Sequence, residues 1–154
     1  MSADPPIFQL FNEIGIINQL STRMFERALP KGMTQAQFSV LNHFIRLGLE
    51  EKSPAELASA FQITRPTMTS TLARMQRAGL VAIKADPRDG RAKRVSLTER
   101  GRTTREACVA AGAGLVPVVG SLMTNAELAG ILPVLTRLRS ELDRMRDTKK
   151  PTGD

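Results

Sequence analysis

The apolar period of this chain changes once. Up to Gly79 the apolar residues recur at steps of three and four. Leu80-Val81-Ala82-Ile83 is then a short β-branched run, and Arg94-Val95-Ser96-Leu97-Thr98 is another. Between them Asp86-Pro87-Arg88-Asp89-Gly90-Arg91 is too polar for a core and too rich in turn formers for a helix. Two short strands around such a tip read as a β-hairpin, and Thr98-Glu99-Arg100-Gly101 restarts helix. The expected fold class is therefore mainly α with one small hairpin.

Helix boundaries are marked on both sides of that hairpin. From Ile7 to Leu29 the residues Ile7, Leu10, Ile14, Ile17, Met24 and Ala28 share one helix face, and Pro30-Lys31-Gly32 ends it. Thr34-Gln35-Ala36-Gln37 and Ser53-Pro54-Ala55-Glu56 are capping boxes, the second with proline at the first helical position. The helix after Ser53 has about two turns and breaks at Gln62-Ile63. Thr64 caps a second helix running from Arg65 to near Ala78, with Gly79 just past its end. A short helix, a tight turn, a second helix and a hairpin make a winged helix-turn-helix.

After the hairpin, helix resumes through a soft patch holding Gly112, Gly114 and Pro117, where it should kink or split. Thr124-Asn125-Ala126-Glu127 is a third capping box. The last helix carries Leu128, Ile131, Leu135, Leu138, Leu142 and Met145, a seam for lengthwise packing against another helix. Pro133, off that seam, should bend the helix without ending it. The tail after Asp147 reads as disordered. The domains expected are 34–98, the winged helix-turn-helix, and 1–33 with 99–154, a helical dimerisation region formed through Leu10, Ile14, Ile17, Leu128, Ile131, Leu135, Leu138 and Leu142. These stripes, with the apolar Ala107–Met123 segment, exceed what a winged domain of about 60 residues could bury alone and should form the dimer interface.

The charge is confined. Net charge is +7, and residues 65–105 hold eleven Lys or Arg against Asp86, Asp89 and Glu99, so that segment carries +8 and the remainder −1. A basic excess in one segment points to a polyanion docked there. In the second helix Met68, Leu72 and Met75 form a buried stripe, and Thr67, Ser70, Thr71 and Arg74 are expected on the opposite face. With Thr64 and Arg65 that face has hydroxyls and arginines and no acid. Arginine can fork onto guanine, and Ser or Thr can donate to phosphate. At the hairpin tip Arg88, Arg91 and Lys93 can enter a narrow minor groove, with Asp89 orienting an arginine beforehand. The partner expected is double-stranded DNA. With six Phe and no Trp or Tyr, stacking on single strands is disfavoured.

Gln37-Phe38-Ser39-Val40-Leu41, Glu56-Leu57-Ala58, the Thr64–Leu80 helix with Ala78-Gly79-Leu80-Val81, the Asp86–Arg91 tip and Leu97-Thr98-Glu99-Arg100-Gly101 together resemble the MarR family of bacterial transcription regulators. The matching motifs cover about Gln37–Gly101. The resemblance implies a cytoplasmic homodimer whose recognition helices enter successive major grooves, with Arg91 as the wing arginine entering the minor groove and Asp89 as its orienting partner. It implies a repressor of a pseudo-palindromic operator, released by a small-molecule effector. Gln62 departs from the pattern: the family often has glycine in the helix-helix turn.

Other readings narrow the function. Cys108 is the sole cysteine, so no internal disulfide exists; amid Ala and Val it reads as a buried structural thiol. His43 is the sole histidine, which rules out a two-histidine metal site. It reads either as a partly buried helix residue with a local hydrogen bond or as an effector contact in the groove between winged domain and dimer helices. No phosphate loop, nucleophile elbow or apolar carboxylate pair points to an enzyme, a cofactor or a metal. The N-terminus lacks a secretory pattern, and Ala107–Met123 reads as buried helix and not as a membrane span, being short of the roughly 20 apolar residues needed. Two alternatives remain: a winged-helix protein-interaction module, and a non-specific DNA binder.

Overall fold

A computed structural model describes residues 4–148. Among them seven helices and one hairpin follow in order: α1 (Pro6–Ala28), α2 (Gln35–Arg46), α3 (Pro54–Ala60), α4 (Arg65–Arg77), β1 (Val81–Ala85), β2 (Lys93–Leu97), α5 (Glu99–Ala113), α6 (Leu115–Gly120) and α7 (Asn125–Thr148). They fall into two compact units, one ending at Ala113 and one starting at Gly114.

The caps form as the sequence requires. Gln37 N donates to Thr34 Oγ1 at 3.2 Å and Thr34 N to Gln37 Oε1 at 3.1 Å. Glu56 N donates to Ser53 Oγ at 3.1 Å and Ser53 N to Glu56 Oε2 at 2.7 Å. Each box satisfies two backbone donors that a helix start otherwise leaves open. Thr124 and Glu127 repeat the arrangement at α7, whose interior holds Pro133 without ending.

The first unit is organised by a core of Val40, Leu41 and Phe44 from α2, Leu57 and Ala58 from α3, Met68, Leu72 and Met75 from α4, then Leu80, Val81 and Val95. The α3–α4 turn closes through Gln62 in the left-handed region at φ 54°. A non-glycine there costs about 1–2 kcal/mol, which the turn carries while Ile63 N still reaches Ala58 O at 3.1 Å. β1 and β2 pair antiparallel from Val81↔Leu97 to Ala85↔Lys93. Lys52, ahead of α3, adds a further bridge to Val95: Lys52 N donates to Val95 O at 3.0 Å and Val95 N to Lys52 O at 2.8 Å.

Where the hairpin ends, four residues form a clasp. Gly79, at φ 72°, terminates α4. Thr98 Oγ1 donates to Gly79 O at 2.6 Å, accepts from Gly101 N at 3.0 Å, and Thr98 N donates to Leu80 O at 3.2 Å. Behind it α1 and α2 meet α5: the rings of Phe25 and Phe38 lie 4.9 Å apart, Gly112 faces Phe25, and Arg105 Nη2 donates to Asn42 Oδ1 at 2.9 Å. Cys108 is fully buried, and burial raises its thiol pKa.

Within one chain the segment 107–123 is only partly covered, and it splits at the soft patch as its glycines and Pro117 suggested. It divides into the end of α5, α6 and a turn, and Val109, Val116, Val118, Val119 and Leu122 are exposed. A short α6 in a two-helix unit has too little neighbouring surface to cover it. The tail beyond Thr148 lies outside the described residues.

The clasp leaves no room at Gly101. An added Cβ would drive into the Leu80 carbonyl oxygen, lie 3.1 Å from its carbon and 3.4 Å from Leu41 Cδ2. Gly101→Ala should therefore cost about 1–3 kcal/mol by overpacking, seen as a lower urea midpoint at unchanged slope.

Candidate nucleic-acid interface

The basic segment becomes one surface because α4 and the hairpin share a core. α4 buries Met68, Leu72 and Met75 and turns Thr64, Arg65, Thr67, Ser70 and Arg74 outward, all exposed. Thr64 caps the helix, accepting from Thr67 N at 3.3 Å, and the two hydroxyls meet at 2.7 Å. Thr71 does not belong to this face. It is 3% exposed, and its hydroxyl donates to Thr67 O at 3.1 Å. Three residues after Met68 and four before Met75, it shares their stripe. Thr69 and Gln76 take outward positions instead.

Between α4 and the hairpin runs an open cleft of about 750 Å³ whose lining includes Arg65, Thr69, Gln76, Lys84, Arg91 and Lys93. No acidic side chain lines it among the described residues.

The hairpin tip is held by its acids, though not as the sequence implied. Asp89 Oδ1 accepts from the backbone N of Arg91 at 3.0 Å. It shapes the turn and pairs with neither guanidinium, because an Asx turn two residues long satisfies the carboxylate locally. Asp86, missed as a site residue, is the better-anchored acid. It is 8% exposed, accepts from Arg88 N at 2.8 Å through Oδ1 and from Arg94 Nε at 2.7 Å through Oδ2. The Arg88 amide and then Arg94 hold its pKa below the usual carboxylate range. Arg88, Arg91 and Lys93 are exposed and, among the described residues, in no ion pair.

A second acid reaches the hairpin from α3. Glu56 Oε2 caps Ser53 N and lies 3.5 Å from Arg94 Nη1, while Glu56 Oε1 lies 3.2 Å from Lys52 Nζ. Lys52, Glu56, Arg94 and Asp86 are thus one chain of charges from the start of α3 to the root of the tip. The only sequence trace of it was the capping box, because Arg94 is 38 residues from Glu56.

His43 faces α3. Its ring lies 5.1 Å from that of Phe61, beside a surface depression of about 410 Å³ that Leu47, Leu49, Lys52 and Leu57 also line. Burial, then the charges of Arg46 and Lys52, lower its pKa. Among the described residues no cluster of acids, His and Cys could hold a metal, and no helix is long and apolar enough to cross a membrane.

A helix-turn-helix with a hairpin beside its second helix, and an acid-free basic cleft between them, defines a winged-helix protein. Residues 31–92 match the model of the MarR family. The chain is 28% identical over 140 residues to the transcriptional activatory protein BadR of Rhodopseudomonas palustris, covering 90% of this chain and 77% of that one. A crystal structure of a mutant MarR from E. coli complexed with operator DNA superposes with a TM-score of 0.77 at 28% identity, covering 90% of this chain and 99% of the other. PcaV of Streptomyces coelicolor, in complex with its natural ligand, has the same fold at 19% identity and a TM-score of 0.76, covering 91% and 98%. Over most of its length this chain is thus similar to regulators of the MarR type, and residues 31–92 carry the match to the family model.

The Glu56 carboxyl titrates at about 2 against an ordinary 4.5, chiefly because Ser53 N and Ser53 Oγ bond it and then because Lys52 adjoins it. Between those values the unfolded chain binds the proton better, so stability rises with pH there. The contribution is fully present above about pH 4.5 and lost as pH falls through about 2. Glu56→Gln keeps a capping oxygen but cannot ionise. Urea titrations should show wild type more stable than the variant at pH 6, with the two converging toward pH 2.

Proposed function

We propose that this regulator binds a pseudo-palindromic operator in double-stranded DNA as a homodimer, acts as a repressor, and is released by a small-molecule effector. Thr64, Arg65, Thr67, Ser70 and Arg74 would meet the major groove, and Arg88, Arg91 and Lys93 the flanking minor groove. Arg91 enters that groove from a turn that Asp89 fixes through its backbone. The carrying observation is the acid-free cleft that α4 and the hairpin share, bordered by Arg65 and Arg91. The operator complex of the 28% identical E. coli MarR supports it. The name of the BadR relative, an activatory protein, makes activation the outcome to test against repression.

Pairing of two chains has separate support. Within the first unit α1 leaves Phe8, Leu10, Ile17 and Leu20 at 64%, 39%, 60% and 54% exposure. Within the second, Leu142 is 47% exposed and Ile131 43%. Patches of that kind mark interaction surfaces, and residues 1–33 with 99–154 would supply the dimer. Two recognition helices would then sit about 34–36 Å apart, one turn of DNA. The effector reading rests on PcaV, a likeness of fold; His43 borders a depression of suitable size.

Selection from random duplexes should enrich a pseudo-palindrome. A flat pool with retention on DNA would instead indicate a non-specific binder, and a flat pool without retention a protein-interaction module. On the enriched duplex Arg91→Ala should weaken binding at least tenfold. Each phosphate left unneutralised should reduce the log–log salt slope by about 0.9. Leu142→Asp should shift sedimentation from dimer toward monomer and lower operator affinity with it.

A further inference from the structure

We infer that Glu56, on the first helix of the helix-turn-helix, is a positioning residue for the wing: through Arg94 it sets the hairpin tip against the recognition helix. The inference rests on the proposed wing function and adds to it the residue that fixes its geometry.

Three observations carry it. Arg94 uses different nitrogens for two carboxylates, Nε at 2.7 Å from Asp86 and Nη1 at 3.5 Å from Glu56. Asp86 in turn holds the Arg88 amide at 2.8 Å, so the fork ends on the tip itself. The backbone bridge between Lys52 and Val95 fixes where β2 meets the start of α3, and the tip lies beyond it. The Glu56–Arg94 pair ties α3 to the hairpin on the tip side of that bridge. A guanidinium can span two acids in a fixed plane; an ammonium cannot.

The position also explains why an exposed carboxylate is ordered. The Ser53 amide and hydroxyl hold Glu56 in a capping box, and Lys52 occupies its other oxygen. Its side chain is therefore fixed before Arg94 arrives, and the entropy that makes surface pairs weak is already lost. The helix cap and the wing tie are two separable roles of one carboxylate. Glutamine at the third helical position still completes a capping box but offers Arg94 no charge.

The test has a DNA-free arm and a DNA arm, both on the full chain. In limited trypsin digestion of the free protein, Glu56→Gln and Arg94→Lys should each speed cleavage after Arg88 and Arg91 about three- to fivefold, the scale of an ordered ion pair. Cleavage elsewhere should keep its rate. On the selected duplex each variant should lose about three- to fivefold in affinity, and neither should lose more in an Arg91→Ala background, where the wing arginine is already absent. Unchanged cleavage at the tip, or an affinity loss of equal size in both backgrounds, overturns the inference. If tip cleavage rises while Arg91→Ala alone leaves affinity intact, Glu56 does position the hairpin and the minor-groove reading is what fails. Arg94→Lys leaves the cap untouched but also alters the Asp86 pair, so Glu56→Gln added to Arg94→Lys should cost nothing further at the tip, and an additive effect overturns the inference.

Discussion

The clasp of Gly79, Leu80, Thr98 and Gly101 is where the first unit is held to one shape. The end of α4, two strands and the start of α5 converge within a few ångströms, and each brings backbone groups that burial would orphan. One threonine hydroxyl settles two of them, giving its proton to Gly79 O and taking one from Gly101 N. Two glycines make this possible for different reasons. Gly79 supplies a left-handed backbone, and Gly101 supplies the absence of a side chain beside Leu80. With the clasp closed, α4 must exit into β1 and β2 must return beside it. That closure sets how the base of the hairpin meets α4.

The charges around the cleft are sorted by what they touch. The acids of the hairpin serve structure: Asp89 holds the Arg91 amide, and Asp86 holds the Arg88 amide and Arg94. Arg94 is engaged too, as the cation between Asp86 and Glu56. What remains outward is positive. Reading Asp89 as an electrostatic partner of Arg91 overlooked a competitor, the backbone N–H two residues on, which a short aspartate reaches more easily than a long guanidinium. The correction alters the reading of the tip: its main chain is held by Asp86 and Asp89, and the Arg88 and Arg91 side chains extend from it exposed.

The sequence was legible where structure is local. Capping boxes, the Gly79 stop and the switch of period between Ile63 and Thr98 are each written within a few residues, and the helix and strand limits follow them closely. Thr71 shows the limit of that reading. Its position three after Met68 and four before Met75 is on the buried stripe by nominal spacing, but its residue type reads as polar; a threonine can be buried because its hydroxyl bonds back to the carbonyl four residues earlier. The Lys52–Val95 bridge and the Glu56–Arg94 pair join residues about 40 apart, and no periodicity records such a meeting. Segment 107–123 shows another limit. Its apolar composition announces burial without saying by what, and within one chain Val116 and Leu122 stay 70% and 77% exposed.

That exposure bears on how the two kinds of surface cooperate. The chain leaves apolar residues uncovered on α1, α6 and α7. Among the described residues it also leaves Arg65, Arg74, Arg88, Arg91 and Lys93 without carboxylates within ion-pair reach. Each is unfavourable for an isolated molecule: one keeps apolar area in water, the other crowds like charges at low screening. Neither reflects a poorly packed fold, since the helix-turn-helix core is closed around Leu41, Leu57 and Met75. Covering the apolar faces with a second copy would bring two basic clefts to a fixed spacing. An anionic duplex of matching repeat would then satisfy both at once, with the second cleft engaged at the high effective concentration set by the first. Affinity for one cleft need only be modest for the pair to be selective, which is why a tip tied firmly at its root and free at its arginines suits the proposed role.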